Sequence, residues 1–307
     1  MLHKITSTNR EQWLQSRQGG IGSSEVGTIL GLNEYESAYQ LWRRKMGYDA
    51  PKQENRAMMM GHILEPAVAQ CWELETGGKI VKNSAKEYVV YRDEAPWRRV
   101  SPDREYKTYG KGKGILECKT TAMKVDVDNI PQVWYLQLQY QLGVCGYSEG
   151  TLAWLINGRE FDCKRFEFNP SIFAIICDKV DEFWYKNVGQ GIAPPAVTDE
   201  DLKVLFPKHI EGKCAEADLD TMDAIFQLKM LKDNRKKVDE EIARLELIVK
   251  KAMEDAENLV YGDRIVATYR ASANAYKVDT NALKTAYPSL VAQYTHEVAG
   301  SRRFLIK

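Results

Sequence analysis

The chain has 307 residues, 44% of them hydrophobic, and its 43 Lys and Arg are balanced by 43 Asp and Glu, so the net charge is zero. The length allows one large domain or two smaller ones with a sizeable core, and the balance excludes a polyanion surface built from a whole-chain basic excess. No apolar run approaches the ~18 residues of a membrane span, and the opening MLHKITSTNREQW lacks the layout of a signal peptide, so a cytoplasmic protein without a membrane partner is expected.

The first part opens with helical material. Ser23 or Ser24 can cap a helix through Leu30, with Glu25 in its first turn. Ser37 can cap the next, which holds Ala38, Leu41, Trp42 and Met46. A third is predicted from about Ala57 to Glu75, with Met60, Leu64, Ala67, Val68, Cys71 and Trp72 along one side. The period then changes. Glu87–Tyr91, Arg98–Tyr106 and Gly114–Lys119 read as three strands. Pro131 starts a helix to about Cys145, Thr151–Ile156 and Cys163–Phe168 read as strands, and Asn169-Pro170 caps a helix through about Tyr185. This order predicts a mixed sheet with helices on its faces, an α/β fold.

All seven tryptophans precede residue 185, and Gly189-Gln-Gly-Ile-Ala-Pro-Pro195 is a breaker. A boundary between about 190 and 220 is therefore expected, written as 1–195 and 196–307. In the second part Leu231, Arg235, Val238, Ile242, Leu245, Val249 and Ala252 form a heptad seam on a long helix, suited either to packing within its own domain or to a coiled coil. Arg264–Arg270 reads as a strand, Ala282–Tyr287 as a short helix ended by Pro288, and Ser301–Lys307 as a final strand.

The six cysteines (Cys71, Cys118, Cys145, Cys163, Cys177 and Cys214) form no CxxC pair and have no histidine at zinc-ligand spacing. They read as buried thiols. Basic clusters at Arg43-Arg44-Lys45, at Arg98-Arg99 and at Lys107, Lys111 and Lys113 read, taken alone, as solvated faces.

The stretch SPDREYKTYGKGKGILECKT, Ser101 to Thr120, carries the chemistry. Alternation along a strand puts Glu117 and Lys119 on one face and Cys118 on the other. Asp103 precedes a hairpin whose return strand carries Glu117, so pairing brings the two carboxylates within reach of one cation. Mg²⁺ takes one or two carboxylates with waters and phosphate oxygens, and a lysine beside it can orient or deprotonate an attacking water. The competing reading is a cross-strand ion pair of Asp103 or Glu117 with Lys119. Nearby, Glu65 lies on the helix before the sheet, Gln137 and Gln139 lie on the helix after Lys119, and Arg17 precedes the Gly/Ser turn Gly19–Ser24 that opens a helix. An arginine beside a helix N-terminus suits a phosphate.

Taken in order, Arg17…Gly-Ile-Gly-Ser-Ser-Glu, Met-Gly-His-Ile-Leu-Glu65, Ser-Pro-Asp103, Glu117-Cys-Lys119 and Gln-Leu-Gln-Tyr140 resemble the YqaJ-type viral recombinase family. These are phage exonucleases of the lambda-exonuclease kind on the PD-(D/E)xK fold, and the resemblance covers about residues 10 to 190. It implies that Asp103, Glu117 and the backbone carbonyl of Cys118 bind Mg²⁺, with Mn²⁺ able to substitute. It implies that Glu65 supports the metal, often through water, and that Lys119 activates or places the attacking water. Gln137, rather than Gln139, would hold that water or the lysine. Arg17, Ser24 and Ser101 would grip a 5′ phosphate. The implied activity is 5′→3′ digestion of double-stranded DNA from its ends to 5′ mononucleotides. It leaves 3′ overhangs for a single-strand annealing partner and runs in a ring-shaped homo-oligomer in a bacterial host carrying a phage or prophage. Cys163, Cys177 and Cys214 do not match the cysteine set of iron–sulfur relatives, and the tail after residue 210 carries no motif. An endonuclease on the same fold, or a DNA-binding recombination scaffold working through the heptad helix, are the rival readings.

Overall fold

The computed structural model describes all residues except 7–9, 52, 82–87, 109–111, 299 and 307, and leaves out the side chains of residues 10, 11, 13 and 14. The chain divides into two compact units, Met1–Leu205 and Phe206–Lys307. In chain order the first holds β1 (Leu2–Thr6), α1 (Arg10–Gln18), β2 (Ile21–Gly22), a 3₁₀ turn (Ser23–Glu25), α2 (Val26–Ile29), α3 (Ala38–Lys45) and α4 (Arg56–Thr76). There follow β3 (Tyr88–Arg92), β4 (Ala95–Val100), β5 (Arg104–Lys107), β6 (Lys113–Thr121), α5 (Gln132–Cys145), β7 (Glu149–Ile156), β8 (Glu160–Glu167) and α6 (Pro170–Glu182). A π-helical turn (Phe183–Gly189) and α7 (Asp199–Leu205) complete it.

The expected mixed α/β architecture is present, but as two four-stranded sheets, ordered β1-β3-β4-β2 and β5-β6-β7-β8. The reason lies at Ser101-Pro102-Asp103. The predicted single strand Arg98–Tyr106 is broken there into β4 and β5, which join different sheets. Proline has no N–H to give a sheet ladder, so the chain leaves one sheet and enters the other at that point.

Strand β6 organises the second sheet. It pairs antiparallel with β5, with Arg104 opposite Leu116. It pairs parallel with β7, with Glu117 opposite Leu152 and Lys119 opposite Trp154. The parallel connection runs through α5, as parallel neighbours require a crossover. Helices cover both faces. On one, Val68, Ala69 and Trp72 of α4 pack with Leu116, Ala153 and Leu155. On the other, Leu138, Tyr140 and Leu142 of α5 join Ile115, Leu152 and Trp154.

Several local expectations hold and others are corrected. Ser37 caps α3, its Oγ accepting from the Gln40 N–H at 3.1 Å, and Asn169 caps α6, accepting from the Ile172 N–H at 3.1 Å. Neither Ser23 nor Ser24 is the cap of the first turn. Gly22 is, and its N–H donates to Glu25 Oε2 at 2.8 Å. The helix after Asn169 continues past Tyr185 as the π-helical turn. Helix α7 stays with the first unit because its Asp201, fully buried, accepts from Ser37 Oγ at 2.8 Å and from the Val197 and Thr198 N–H groups at 3.1 Å.

The second unit holds α8 (Leu219–Met253), β9 (Asn258–Tyr261), β10 (Arg264–Thr268), α9 (Thr280–Ala286) and α10 (Pro288–Gln293). The long helix is present, capped by Asp218, and along the heptad seam Leu231, Val238, Ile242, Leu245 and Val249 are exposed. The expected short helix is α9, which ends at Ala286 with Tyr287 as its C-cap, just before Pro288. Pro288 also opens α10, where a missing N–H costs nothing. Residues 301–306 form no strand, and Lys307 lies outside the described residues. No helix of the described residues is long and apolar enough to cross a membrane.

The basic clusters are largely spent on internal partners. Arg43 pairs with Asp49, Arg44 with Glu36, Lys45 with Glu25 and Arg98 with Asp181. Arg99 reaches the Ser16 carbonyl and Lys113 pairs with Glu105. Lys111 lies outside the described residues. The six cysteines are free thiols, and Cys214 is exposed rather than buried.

Candidate active site

Glu117 and Lys119 project from β6 toward α5, as the period-two pattern requires. Glu117 is only 3% exposed. A buried carboxylate needs donors, and this one has several. Its Oε1 accepts from Lys119 Nζ at 2.7 Å and Gln137 Nε2 at 2.6 Å. Its Oε2 accepts from Gln141 Nε2 at 2.8 Å. Lys119 Nζ also donates to Gln137 Oε1 at 2.9 Å, closing a three-residue ring of bonds. Burial pulls the Lys119 pKa down, but the charges of Glu117 and Asp103 outweigh it and leave the group raised.

Asp103 sits where the chain enters β5. Its Oδ2 accepts from the Cys118 N–H at 2.8 Å, so it stands beside Glu117 across the strand pair. Burial, then the charges of Glu117 and Glu65, push its carboxyl well above the usual carboxylate range. Glu65, from α4, is engaged by Arg104, whose guanidinium also donates to the Asp103 carbonyl at 2.6 Å. Cys118 points to the other face, packed against the α4 cluster, and burial raises its thiol well above its ordinary value.

The second group lies at the N-terminal turn. Arg17 Nη2 donates to Ser24 Oγ at 2.8 Å. The close approach depends on Gly22, since a Cβ there would stand 2.6 Å from the same Nη2. Behind it Glu25, half-buried, takes Lys45 Nζ at 2.9 Å. Burial alone would raise the Glu25 carboxyl, but the Lys45 and Arg17 charges bring it below its ordinary value. Lys45 also donates to the Gly20 carbonyl at 2.6 Å, pinning the glycine turn. Ser101 follows the end of β4, beside Pro102, and is half-buried.

The two groups are joined by residues that sequence reasoning passed over. Gln141, one helical turn beyond Gln137, donates from Nε2 to both Glu117 Oε2 and Ser23 Oγ, the latter at 3.1 Å. Its signal was the i, i+4 spacing, which sets both glutamines on one face. Arg104 gave no such signal, because alternation places it on the face opposite Asp103. Gln139, the second choice for the water-holding role, is elsewhere. It donates to the Glu167 carbonyl and accepts from the Asn169 N–H, binding β8 to α6.

Among the described residues, no three His, Cys, Asp or Glu side chains stand in a ready metal-binding group, because each acid is drawn onto a protein donor. The chemistry of the set nonetheless fits a hard cation. Carboxylates of like charge crowd one another at Asp103, and oxygen is the donor type Mg²⁺ takes. Two carboxylate oxygens offer about four acceptor positions, and three donors occupy those of Glu117, leaving room on Oε2.

Residues 12–148 match the model of the YqaJ-like viral recombinase domain. The chain is 29% identical over 321 aligned positions to the uncharacterized protein YqaJ of Bacillus subtilis strain 168, an alignment that covers all of this chain and 97% of that protein. Among solved structures it is similar to the alkaline exonuclease LHK-Exo of Laribacter hongkongensis, with a TM-score of 0.44, 18% identity and coverage of 59% of this chain and 93% of that one. It is also similar to a phage-related exonuclease of Haemophilus somnus 129PT, with a TM-score of 0.39, 10% identity and coverage of 56% and 96%. Asp103, Glu117, Lys119 and Gln137, together with Arg17 and Ser24, all fall inside the segment that is similar to the YqaJ-like viral recombinase domain.

Proposed function

We propose that the protein is a Mg²⁺-dependent 5′→3′ exonuclease on double-stranded DNA, on a PD-(D/E)xK core, releasing 5′ mononucleotides and leaving 3′ overhangs. The observation that carries this reading is the Glu117 carboxylate, buried beside Asp103 yet held by Lys119, Gln137 and Gln141. A surface ion pair of the kind hairpins often carry would be solvated, and would not recruit two glutamines from a neighbouring helix.

Asp103, Glu117 and the Cys118 carbonyl would hold the cation, with Glu65 close by. When bound, the cation polarises a phosphoryl oxygen and favours a water nucleophile. The rest is done by the chain. Lys119, fixed between Glu117 and Gln137, orients the attacking water by donating to it. Gln137 keeps Lys119 and Glu117 in register. Arg17 and Ser24, with Ser101 nearby, hold a terminal 5′ phosphate through charge-assisted bonds. Mn²⁺ substitutes for Mg²⁺. A ring-shaped oligomer would supply the basic path that the internally paired arginines and lysines of one chain do not, and an annealing protein would take the 3′ strand.

Duplex DNA labelled at one 5′ or one 3′ end tests this reading. Labelled mononucleotide released at once from the 5′ end, with the 3′ label retained in long fragments, is the expected result. Early loss of the 3′ label would reverse the polarity, and cutting of closed circles would favour an endonuclease.

A further inference from the structure

We infer that Gln141 is a positioning residue that couples the Ser23–Ser24 turn to the Glu117 carboxylate, so that the grip on a terminal phosphate and the hold on a divalent cation depend on one another. The inference rests on the function proposed above.

The geometry is a short chain of bonds. Arg17 Nη2 reaches Ser24 Oγ at 2.8 Å. The adjacent Ser23 Oγ accepts from Gln141 Nε2 at 3.1 Å, and the same nitrogen donates to Glu117 Oε2 at 2.8 Å. Ser23 is 5% exposed, Glu117 3% and Gln141 0%, so water does not screen or replace these bonds. The amide cannot be turned the other way, since its oxygen would then face a carboxylate oxygen, two acceptors in contact. As placed, Gln141 Oε1 has no hydrogen-bond partner. All the hydrogen bonding of this buried amide is therefore concentrated in the one nitrogen shared by Ser23 and Glu117. An amide merely filling space between α5, β6 and the N-terminal turn would gain nothing from that arrangement over an apolar side chain of its size.

Two consequences follow. The oxygen of Glu117 held by Gln141 is the one with room for a cation, so the amide sets its orientation. Ligand-supporting partners of this kind change metal affinity by about 10–100-fold when removed. A displacement of the Ser23–Ser24 turn on phosphate binding also reaches Glu117 through two bonds, which is a coupling between two sites in the thermodynamic sense.

The test uses the full chain in four forms: wild type, Ser23→Ala, Gln141→Met and the double variant, with circular dichroism melts to check folding. Gln141→Met keeps the volume and loses the amide, and Ser23→Ala opens the relay without touching Glu117. Two quantities are read. One is Mn²⁺ affinity by calorimetry without DNA. The other is the ratio of cleavage rates on 5′-phosphorylated and 5′-hydroxyl duplex ends. Gln141→Met should weaken Mn²⁺ binding at least tenfold. Each single variant should lower the end-discrimination ratio at least fivefold, and the double variant no further than the larger single effect. A wild-type ratio in Ser23→Ala, unchanged Mn²⁺ affinity in Gln141→Met, or losses that add in the double variant would each overturn the coupling while leaving the nuclease intact. Should Gln141→Met not fold, the ratio in Ser23→Ala decides alone. A wild type that neither binds Mn²⁺ nor cuts DNA would instead overturn the functional reading, and the coupling with it.

Discussion

Strand β6 has two faces that obey different rules. Toward α4 it presents Leu116 and Cys118 to Val68, Ala69, Trp72, Ala153 and Leu155, an apolar contact that stabilises by removing surface from water. Toward α5 it presents Glu117 and Lys119, which are also withdrawn from water but are held by Gln137 and Gln141. Burial of charge is unfavourable unless it is fully compensated, and at Asp103 the compensation is incomplete, since its neighbours Glu117 and Glu65 share its sign. The same strand thus stores stability on one side and unresolved charge on the other. Such a separation is what a cation-binding, water-activating site needs from its scaffold: rigid support from behind and polar groups held on a fixed ladder in front.

Substitutions on the two faces should therefore fail in different ways. The largest effect is expected from Asp103→Ala or Glu117→Ala. Each removes a proposed metal ligand and should abolish Mg²⁺-dependent cleavage while DNA binding, read by fluorescence anisotropy, stays near wild type. Lys119→Ala should come next, lowering turnover by about 10²–10⁴, the range for a positioned acid–base group, with Mn²⁺ affinity retained in calorimetry. On the opposite face Leu116→Ala should cost about 2–5 kcal/mol of stability in urea melts, as buried leucines do, with turnover per folded molecule kept. If Leu116→Ala silenced the folded enzyme, or Glu117→Ala left it active, the division between the faces would be lost. The smallest change is expected at Arg17→Ala. It should slow cleavage at 5′-phosphorylated ends by about 1.5–3 kcal/mol, the worth of a hydrogen bond to a charged group, and leave 5′-hydroxyl ends little affected. Equal penalties at both ends would make Arg17 a backbone clamp rather than a terminal-phosphate grip.

The face-to-face division was legible in the sequence because it follows from alternation alone. Glu117 and Lys119 two apart, Cys118 between them, and an acid at Ser-Pro-Asp103 before the hairpin are local facts. The resemblance in motif order added Arg17, Ser24, Glu65 and Gln137, and the structure places Gln137 on both Lys119 and Glu117. What escaped depends on tertiary approach. Nothing local shows that Ser23, 118 residues away in the chain, meets Gln141 rather than capping its own turn. Nothing local shows that Arg104 turns toward Glu65, or that Pro102 divides two sheets rather than bending one strand. Pro288 follows the end of α9 as expected, and what the sequence did not show is that the same missing N–H suits it to begin α10.

The claim at the centre of this account is that the α5-facing side of β6 is a metal-dependent phosphodiesterase site. It is tested most directly by mononucleotide release from a linear 5′-phosphorylated duplex, comparing wild type and Glu117→Ala in Mg²⁺ and in EDTA. The account predicts steady release by wild type in Mg²⁺ and none in the other three conditions, with both proteins giving the same far-ultraviolet spectrum. Release by wild type in EDTA, or by folded Glu117→Ala in Mg²⁺, would contradict it.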